Sequence, residues 1–146
     1  MRILVIGKNG QLGWSIYKIV NTNNGDNLSS NEFIFVGRKE LDLSENNSII
    51  NYFDNHDKFD IIINCAAYTA VDKAEEEQDL ANQINHLAVK QLAKIANEQK
   101  AKLVHVSTDY VFDGTGGKPY KETDKTNPIN VYGKTKLAGE KALQEI

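Results

Sequence analysis

The sequence predicts an α/β fold built on a parallel β-sheet. Three observations indicate it: short apolar segments alternate with helical patterns, each apolar segment is nearly continuous, and a glycine-rich turn follows the first of them. Continuous apolar strands are typical of sheets that are buried on both faces, and strands joined through helices form right-handed parallel units. We therefore expect a doubly wound sheet of the Rossmann type.

The first half of the chain is predicted to supply three strands and two helices. The strands cover residues 2–6, 32–36 and 59–65, and the helices cover residues 11–20 and 47–55. The second helix is expected to be capped near Ser44, because a hydroxyl residue before a helical pattern is a typical start signal. An asparagine-rich stretch at 21–27 is predicted to be a loop or a helix cap.

The second half is predicted to hold one long helix, a fourth strand and a last helix. The long helix, over residues 76–99, is indicated by apolar side chains at helical spacing, namely Leu80, Ile84, Leu87, Leu92 and Ile95. The fourth strand is expected over residues 102–107 and the last helix over residues 131–146.

The sequence stops on this last helix, without a fifth strand beside the fourth. A doubly wound sheet of the usual strand order would place one there. We therefore expect residues 1–146 to be a partial domain, truncated after the last helix and followed in the whole protein by a substrate-binding part. The competing explanation is a naturally short protein whose open sheet edge is covered by a partner chain.

Composition excludes several classes of function. The 146 residues, of which 40% are hydrophobic, can bury one core, and a net charge of −3 gives no basic surface for nucleic acid or an anionic membrane. Cys65, the one cysteine, lies in an apolar strand, so we expect an inert buried thiol rather than a disulfide. No apolar run approaches the ~20 residues of a membrane span. We expect a cytoplasmic protein.

A glycine-rich turn joins the first strand to the first helix. Gly7 allows a sharp turn off the strand, Gly10 keeps side chains away from a bound pyrophosphate, and Gly13 lets the helix pack closely on the sheet. Phosphates bind at such a helix N-terminus, where free N–H groups and the helix dipole favour negative charge. The turn therefore predicts a dinucleotide site.

A tyrosine and a lysine four residues apart stand at the start of the last predicted helix. Tyr132 and Lys136 share a helix face, and an ammonium group there would lower the high pKa of the phenol. Thr108 ends the fourth strand, where α/β sheets place ligands, and its hydroxyl can bond to a substrate oxygen. The predicted reaction is hydride transfer from a nicotinamide to a carbonyl carbon, with Tyr132 as the proton donor.

Four stretches of the sequence carry a family resemblance. They are GKNGQLGW at 7–14, NCAAYTAVDKAE at 64–75, HVSTDYVFDG at 105–114 and NVYGKTKLAGE at 130–140. Together they resemble the dTDP-4-dehydrorhamnose reductases, which are extended short-chain dehydrogenase/reductases. The resemblance implies that residues 1–146 are the NAD(P)-binding Rossmann domain of an oxidoreductase. The implied reaction is reduction of the C4 keto group of dTDP-4-dehydro-L-rhamnose, the last step of dTDP-L-rhamnose synthesis.

The resemblance also implies roles for individual residues. Thr108, Tyr132 and Lys136 form the catalytic set, Asn85 supports the lysine, and Thr108 and Asp109 contact the dTDP-sugar substrate. The implied cofactor-binding residues are Gly7, Gly10, Gln11, Leu12, Gly13, Asp42, Leu43, Ala66, Ala67, Tyr68, Thr69, Tyr132 and Lys136. No metal is expected in this chain, and the resemblance allows a homodimer of the full-length protein.

The choice of cofactor depends on the end of the second strand. An NAD-specific site usually places an acidic residue there to bind the ribose 2′-hydroxyl. This chain has Arg38 instead, and a guanidinium suits a 2′-phosphate. We therefore expect NADPH as the preferred cofactor, with NADH also accepted.

The same scaffold supports two other functions. Nucleotide-sugar 4,6-dehydratases resemble Thr-Asp-Glu at the strand end, whereas this chain has Thr108-Asp109-Tyr110, which favours reduction over a dehydratase or an epimerase. A non-catalytic dinucleotide-binding subunit, like the methionine adenosyltransferase beta subunit, would keep the cleft without the reaction. The presence of Thr108, Tyr132 and Lys136 argues against that alternative.

Overall fold

The computed structural model of the chain describes residues 1–22 and 30–146, and most of the asparagine-rich stretch at 21–27 lies outside them. The elements are, in chain order, β1 (Arg2–Ile6), α1 (Gln11–Thr22), β2 (Glu32–Val36), α2 (Asn46–Asp54), β3 (Ile61–Asn64), α3 (Val71–Ala74), α4 (Gln78–Asn82), a π turn (Gln83–Leu87), α5 (Ala88–Gln99), β4 (Lys102–His105), a 3₁₀ turn (Asp109–Val111) and α6 (Val131–Gln144).

The four strands form one parallel sheet in the order β2-β1-β3-β4. The first crossover places β2 on one side of β1 and the next places β3 on the other side, so the winding direction reverses at β1. Such a switch point leaves a crevice at the carboxyl ends of the two strands that flank it. The doubly wound, Rossmann-type α/β fold predicted from the sequence is confirmed.

The core lies between the sheet and helices α2 and α5. Leu4, Ile62, Ile49 and Leu92, from β1, β3, α2 and α5, are fully buried in it. Leu4 and Ile62 are register partners, so their side chains share one face of the sheet. Burial of each such side chain contributes about 2 kcal/mol. This layer fixes the ends of β1 and β3, where the crevice opens.

Several elements end a few residues from their predicted limits. β3 begins at Ile61 rather than at residue 59, and β4 ends at His105 rather than at residue 107. Helix α2 begins after Glu45, and the hydroxyl of Ser44, the predicted cap, donates to Asp42 (2.6 Å). Because β4 ends at His105, the segment after it leaves the sheet and turns towards α6.

The predicted long helix is present from Gln78 to Gln99 and contains a π turn. α3 stands apart from it, and α4 runs through the π turn into α5. Leu87 is 43% exposed, so its predicted place in the buried stripe is wrong. The buried row passes instead through Ala81, Asn85 and Ala88, because α6 packs on this segment and small side chains let it approach.

Within residues 1–22 and 30–146, no helix is long and apolar enough to cross a membrane. The same residues contain no group of three or more His, Cys, Asp or Glu side chains placed to hold a metal ion. Cys65 is a free, half-buried thiol whose pKa is raised by burial, so little reactive thiolate forms at neutral pH.

Candidate active site

A cleft of about 740 Å³ opens at the carboxyl ends of β1 and β3, where the strand order reverses. Ligands of open α/β sheets bind at this place. The predicted cofactor-binding residues that line the cleft are Gly7, Gly10, Gln11, Leu12, Arg38, Asp42, Leu43, Ala66, Ala67, Tyr68 and Thr69. Gly13, Tyr132 and Lys136 do not line it.

The turn after β1 admits only glycine at two positions. Gly7 has a φ of +93°, and its N–H donates to the carbonyl oxygen of Val36 (2.9 Å), which ties the turn to β2. A Cβ on Gly13 would collide with the carbonyl oxygen of Gly7. Helix α1 therefore begins in contact with the turn, and Gln11 and Leu12, in its first turn, border the cleft. First-turn N–H groups have no acceptor within their own helix.

The end of the cleft beside β2 carries the predicted cofactor-selecting guanidinium. Arg38 Nε donates to Asp42 Oδ2 (3.0 Å), and its Nη2 donates to Ser44 Oγ (3.3 Å). Burial acts to raise the pKa of Asp42, but hydrogen bonds from Ser44 and the charge of Arg38 outweigh it, so the pKa is lowered. The Arg38 side chain is 72% exposed, so it is held at the cleft mouth and stays open to a ligand.

A second ion pair at this end was not predicted. Glu40 accepts hydrogen bonds from Lys8 Nζ (2.7 Å) and from the Gly37 N–H (2.9 Å). The hydrogen bond from Lys8, followed by that from Gly37, lowers the pKa of Glu40. The pair links the turns after β1 and β2. The sequence gives little sign of it, because Lys8 and Glu40 become neighbours only through the pairing of these strands.

Asn85, in the π turn, connects the cleft wall to α6. Its Oδ1 accepts from the Tyr68 N–H (2.9 Å), and its Nδ2 donates to the Tyr68 carbonyl oxygen (3.0 Å) and to Thr135 Oγ1 (3.2 Å). Buried polar groups are satisfied in this way throughout proteins. These bonds fix the separation between the wall and the helix. Asn85 thus reaches α6 at Thr135 and not at Lys136, which it was predicted to support.

Lys136 is a buried amine, with 1% of its surface exposed. Its Nζ donates to the Val106 carbonyl oxygen (2.6 Å) and lies 3.1 Å from His105 Nε2. Burial lowers the pKa of Lys136 to about 8, while Glu140, one helical turn later, opposes this shift. Tyr132 is half-buried four residues earlier on α6, so the two side chains lie on one helix face.

The segment after β4 brings the 3₁₀ turn Asp109–Val111, which Thr108 caps, next to α6. Thr108 Oγ1 caps the 3₁₀ turn by accepting from the Tyr110 N–H (3.2 Å), and it lies within donating distance of Asp109 Oδ1 (3.2 Å). The Tyr110 ring packs edge-on against the Tyr132 ring, with 5.5 Å between centroids. Gly133 permits this contact, because a Cβ there would collide with the carbonyl oxygen of Tyr110.

Several polar residues around α6 were also not predicted. His105 Nδ1 lies 3.2 Å from Asn64 Nδ2, and Ser107 Oγ donates to Glu140. The spacing of Glu140, four residues after Lys136, was the available signal for its position on the same helix face. His105 and Asn64 gave no signal of a contact, because they face each other only through the register of β3 with β4.

The fold and the site define the class of protein. A doubly wound parallel sheet, a glycine turn at its switch point and a tyrosine and lysine four residues apart on a following helix are features of the extended short-chain dehydrogenase/reductases. The chain belongs to the family described as the RmlD substrate binding domain, which matches residues 1–146. The resemblance seen in the sequence is confirmed.

Named relatives are similar to the chain over nearly its whole length. A dTDP-4-dehydrorhamnose reductase from Salmonella typhimurium is 48% identical, covering 99% of this chain and 47% of the relative. Solved dTDP-4-dehydrorhamnose reductases from Clostridium acetobutylicum and Bacillus anthracis, the second in complex with NADP, have TM-scores of 0.89 and 0.87 at 43% and 37% identity. Each of these two matches covers 99% of this chain and 49% of the solved chain. The chain spans about half the length of the curated relatives it matches.

Proposed function

We propose that this chain is the dinucleotide-binding domain of an NAD(P)H-dependent reductase that acts on the C4 keto group of dTDP-4-dehydro-L-rhamnose. The observation that carries the proposal is the connection of the cleft wall to the helix of Tyr132 and Lys136 through Asn85. A cofactor in the cleft would therefore lie beside an acid–base pair. The names of the similar reductases support the same substrate.

The residues of the cleft fit a dinucleotide. A Cβ on Gly10 would have one neighbour within 4 Å, the Gly7 carbonyl oxygen at 3.4 Å, so the space at this position is open. Because glycine has no side chain there, a pyrophosphate can approach the backbone of the turn. Gln11 and Leu12 would offer N–H groups to the phosphates. The other proposed contacts are Asp42 and Leu43 at the adenine end and Ala66, Ala67, Tyr68 and Thr69 on the nicotinamide side.

The proposed catalytic roles follow from the chemistry of the three side chains. When bound, the reduced nicotinamide supplies a hydride to the carbonyl carbon. Tyr132 gives its phenolic proton to the carbonyl oxygen, and the Lys136 ammonium stabilises the resulting phenolate. Thr108 holds the carbonyl oxygen through its hydroxyl, and Asp109 contacts the sugar.

We propose NADPH as the preferred reductant, with NADH as a weaker substitute. Arg38 supports this choice because its exposed guanidinium stands at the cleft mouth beside Asp42, where a ribose 2′-phosphate would lie. The Bacillus anthracis relative was solved with NADP. We also propose that the whole protein is cytoplasmic, as its composition and single cysteine suggest, and that it can form a homodimer, which the family resemblance allows.

The test is turnover of dTDP-4-dehydro-L-rhamnose by the chain extended to its relatives' full length, followed as oxidation of NADPH. Tyr132→Phe is expected to lower kcat by about 10²–10⁴-fold while NADPH still binds. Tyr17→Phe, at an exposed position on α1, is the matched control and should leave kcat unchanged. A 4-keto-6-deoxy product from dTDP-glucose would indicate a dehydratase instead. Saturable NADPH binding without turnover would indicate a non-catalytic subunit.

A further inference from the structure

The proposed mechanism leaves one polar cluster beneath α6 without a role. His105, on β4, is half-buried between Asn64 of β3 and Lys136 of α6. Its Nδ1 lies 3.2 Å from Asn64 Nδ2, and its Nε2 lies 3.1 Å from Lys136 Nζ. All four nitrogen atoms can act as donors in some protonation state, so the cluster is satisfied only if its hydrogens are distributed in a particular way.

The orientation of the Asn64 amide is fixed by the backbone. Its other side-chain atom accepts the Ala66 N–H at 3.0 Å, and a backbone N–H only donates, so this atom is the carbonyl oxygen. The NH₂ group therefore faces His105. Since an amide NH₂ only donates, Nδ1 of His105 must be the acceptor, and the hydrogen of the neutral ring is on Nε2.

The Nε2–H then points at the amine of Lys136. An ammonium carries three donors and no acceptor, so a charged Lys136 would set N–H against N–H at this contact. A neutral amine has a lone pair that accepts from Nε2 and still donates to the Val106 carbonyl oxygen at 2.6 Å. We infer that His105 is a positioning residue, whose tautomer is fixed by Asn64 and which favours the neutral amine form of Lys136 over the ammonium form.

The charges around the pair decide how strongly this arrangement is favoured. Among the described residues, Glu140 on α6 is the ionised side chain whose charge favours the ammonium form of Lys136, and Ser107 on the segment after β4 donates to it. Burial acts in the opposite direction and lowers the pKa of Lys136 to about 8. Burial, and then the charge of Lys136, lower the pKa of His105 to about 4, so the ring is neutral at physiological pH.

The inference rests on the proposed function in one respect, which is that Lys136 is the lysine of the reaction. Lys136 stabilises the phenolate of Tyr132 only as an ammonium. The His105–Asn64 pair therefore contributes, together with burial and Glu140, to the pH at which the site has its positive charge. No residue of this pair lines the cleft, so its effect on the reaction passes through Lys136.

The first test is the position of the ring hydrogen, read from ¹⁵N NMR of the protein labelled at its three histidines. The spectrum is recorded near pH 8.5, where an ordinary histidine is neutral. His105 should carry its hydrogen on Nε2. His56 is the internal reference, because its Nδ1 lies 2.6 Å from the Tyr52 carbonyl oxygen and must donate. A hydrogen on Nδ1 of His105 would overturn the inference.

The second test follows the titration of Lys136 by NMR of its ε-carbon. In His105→Gln the Nε2–H is absent and an amide oxygen can accept from the ammonium, so the midpoint should rise by at least about one pH unit, a tenfold change in proton affinity. His56→Gln, at an exposed site, is the matched control. Equal midpoints in the unsubstituted protein and His105→Gln would overturn the inference. Neither readout uses substrate or cofactor, so failure of the proposed reduction gives a separate result.

Discussion

The two ends of the site are built in different ways. The end proposed to bind the dinucleotide, called the dinucleotide end below, has the backbone of Gly7 in direct contact with Gly13, and the guanidinium of Arg38 at its mouth is exposed. The α6 end is formed by buried polar side chains, including Lys136 and Asn85. Substitutions that add atoms should therefore have the larger effect at the first end. At the second end the larger effect should come from removing a polar group or changing its charge.

The largest effect is expected at the α6 end, from Lys136→Met. Without the ammonium, turnover of the full-length protein should fall by about 10³-fold. The free energy of unfolding should change by less than about 1 kcal/mol, because removing a buried amine offsets the lost bonds to His105 and Val106. Kinetics and urea unfolding measure the two quantities. Lys141→Met, at an exposed position on the same helix, is the control. Comparable turnover in the two variants would remove Lys136 from the mechanism.

A smaller effect at the same end depends on pH. The pKa of His105 is about 4 in the folded chain and ordinarily 6.5, so the unfolded chain binds a proton that the folded chain excludes. Stability from this group is present above pH 6.5 and is lost as pH falls towards 4, by about 3 kcal/mol. His105→Gln should abolish this part of the acid slope. Urea unfolding at pH 7 and 4.5 measures it, and parallel pH dependence in both proteins would contradict the assignment.

At the dinucleotide end, Gly13→Ala tests the sensitivity to an added atom. The new methyl group collides with the Gly7 carbonyl oxygen, and the turn must move, at an expected cost of about 2 kcal/mol in stability. NADPH binding should weaken with it, because the turn carries the proposed phosphate site. Ser15→Ala, exposed on the same helix, is the matched control. Unchanged stability and binding would show that the turn is not tightly constrained.

The smallest expected effect is that of Arg38→Ala on cofactor choice. Loss of the guanidinium should reduce the preference for NADPH over NADH by about tenfold, or about 1.4 kcal/mol, and leave NADH affinity nearly unchanged. Trp14, which is 49% exposed beside Gly13, provides a fluorescence signal for both titrations. Arg2→Ala, on the far end of β1, is the control. An unaltered ratio of the two affinities would remove Arg38 as the selecting residue.

The dinucleotide end was largely predictable from the sequence because its information is local. A strand, a glycine turn and a helix start follow one another within Arg2–Gly13, and Gly7 and Gly13 each have a steric reason. The α6 end was predictable only in part. Tyr132 and Lys136 are four residues apart, but the Asn64–His105 contact depends on strand register.

The error at Leu87 has a related physical cause. Apolar spacing alone treats residues 76–99 as one regular helix, whereas the π turn changes the bonding pattern within it. Which side chains of this segment are buried then depends on how closely α6 approaches. Small residues such as Ala81 and Ala88 are therefore buried in place of larger neighbours. Such packing between distant segments leaves no pattern within the helix itself.

The π turn also determines how this segment tolerates changes in chain length. Removing one residue from Gln83–Leu87 would let ordinary helical bonding run from α4 into α5, and it would change the position of Asn85, which lies within the turn. Asn85 would then lose its alignment with Tyr68 and Thr135 although each side chain is still present. In this stretch a single deletion is therefore a more severe change than most substitutions, because the number of residues, as well as their identity, aligns the cleft wall with α6.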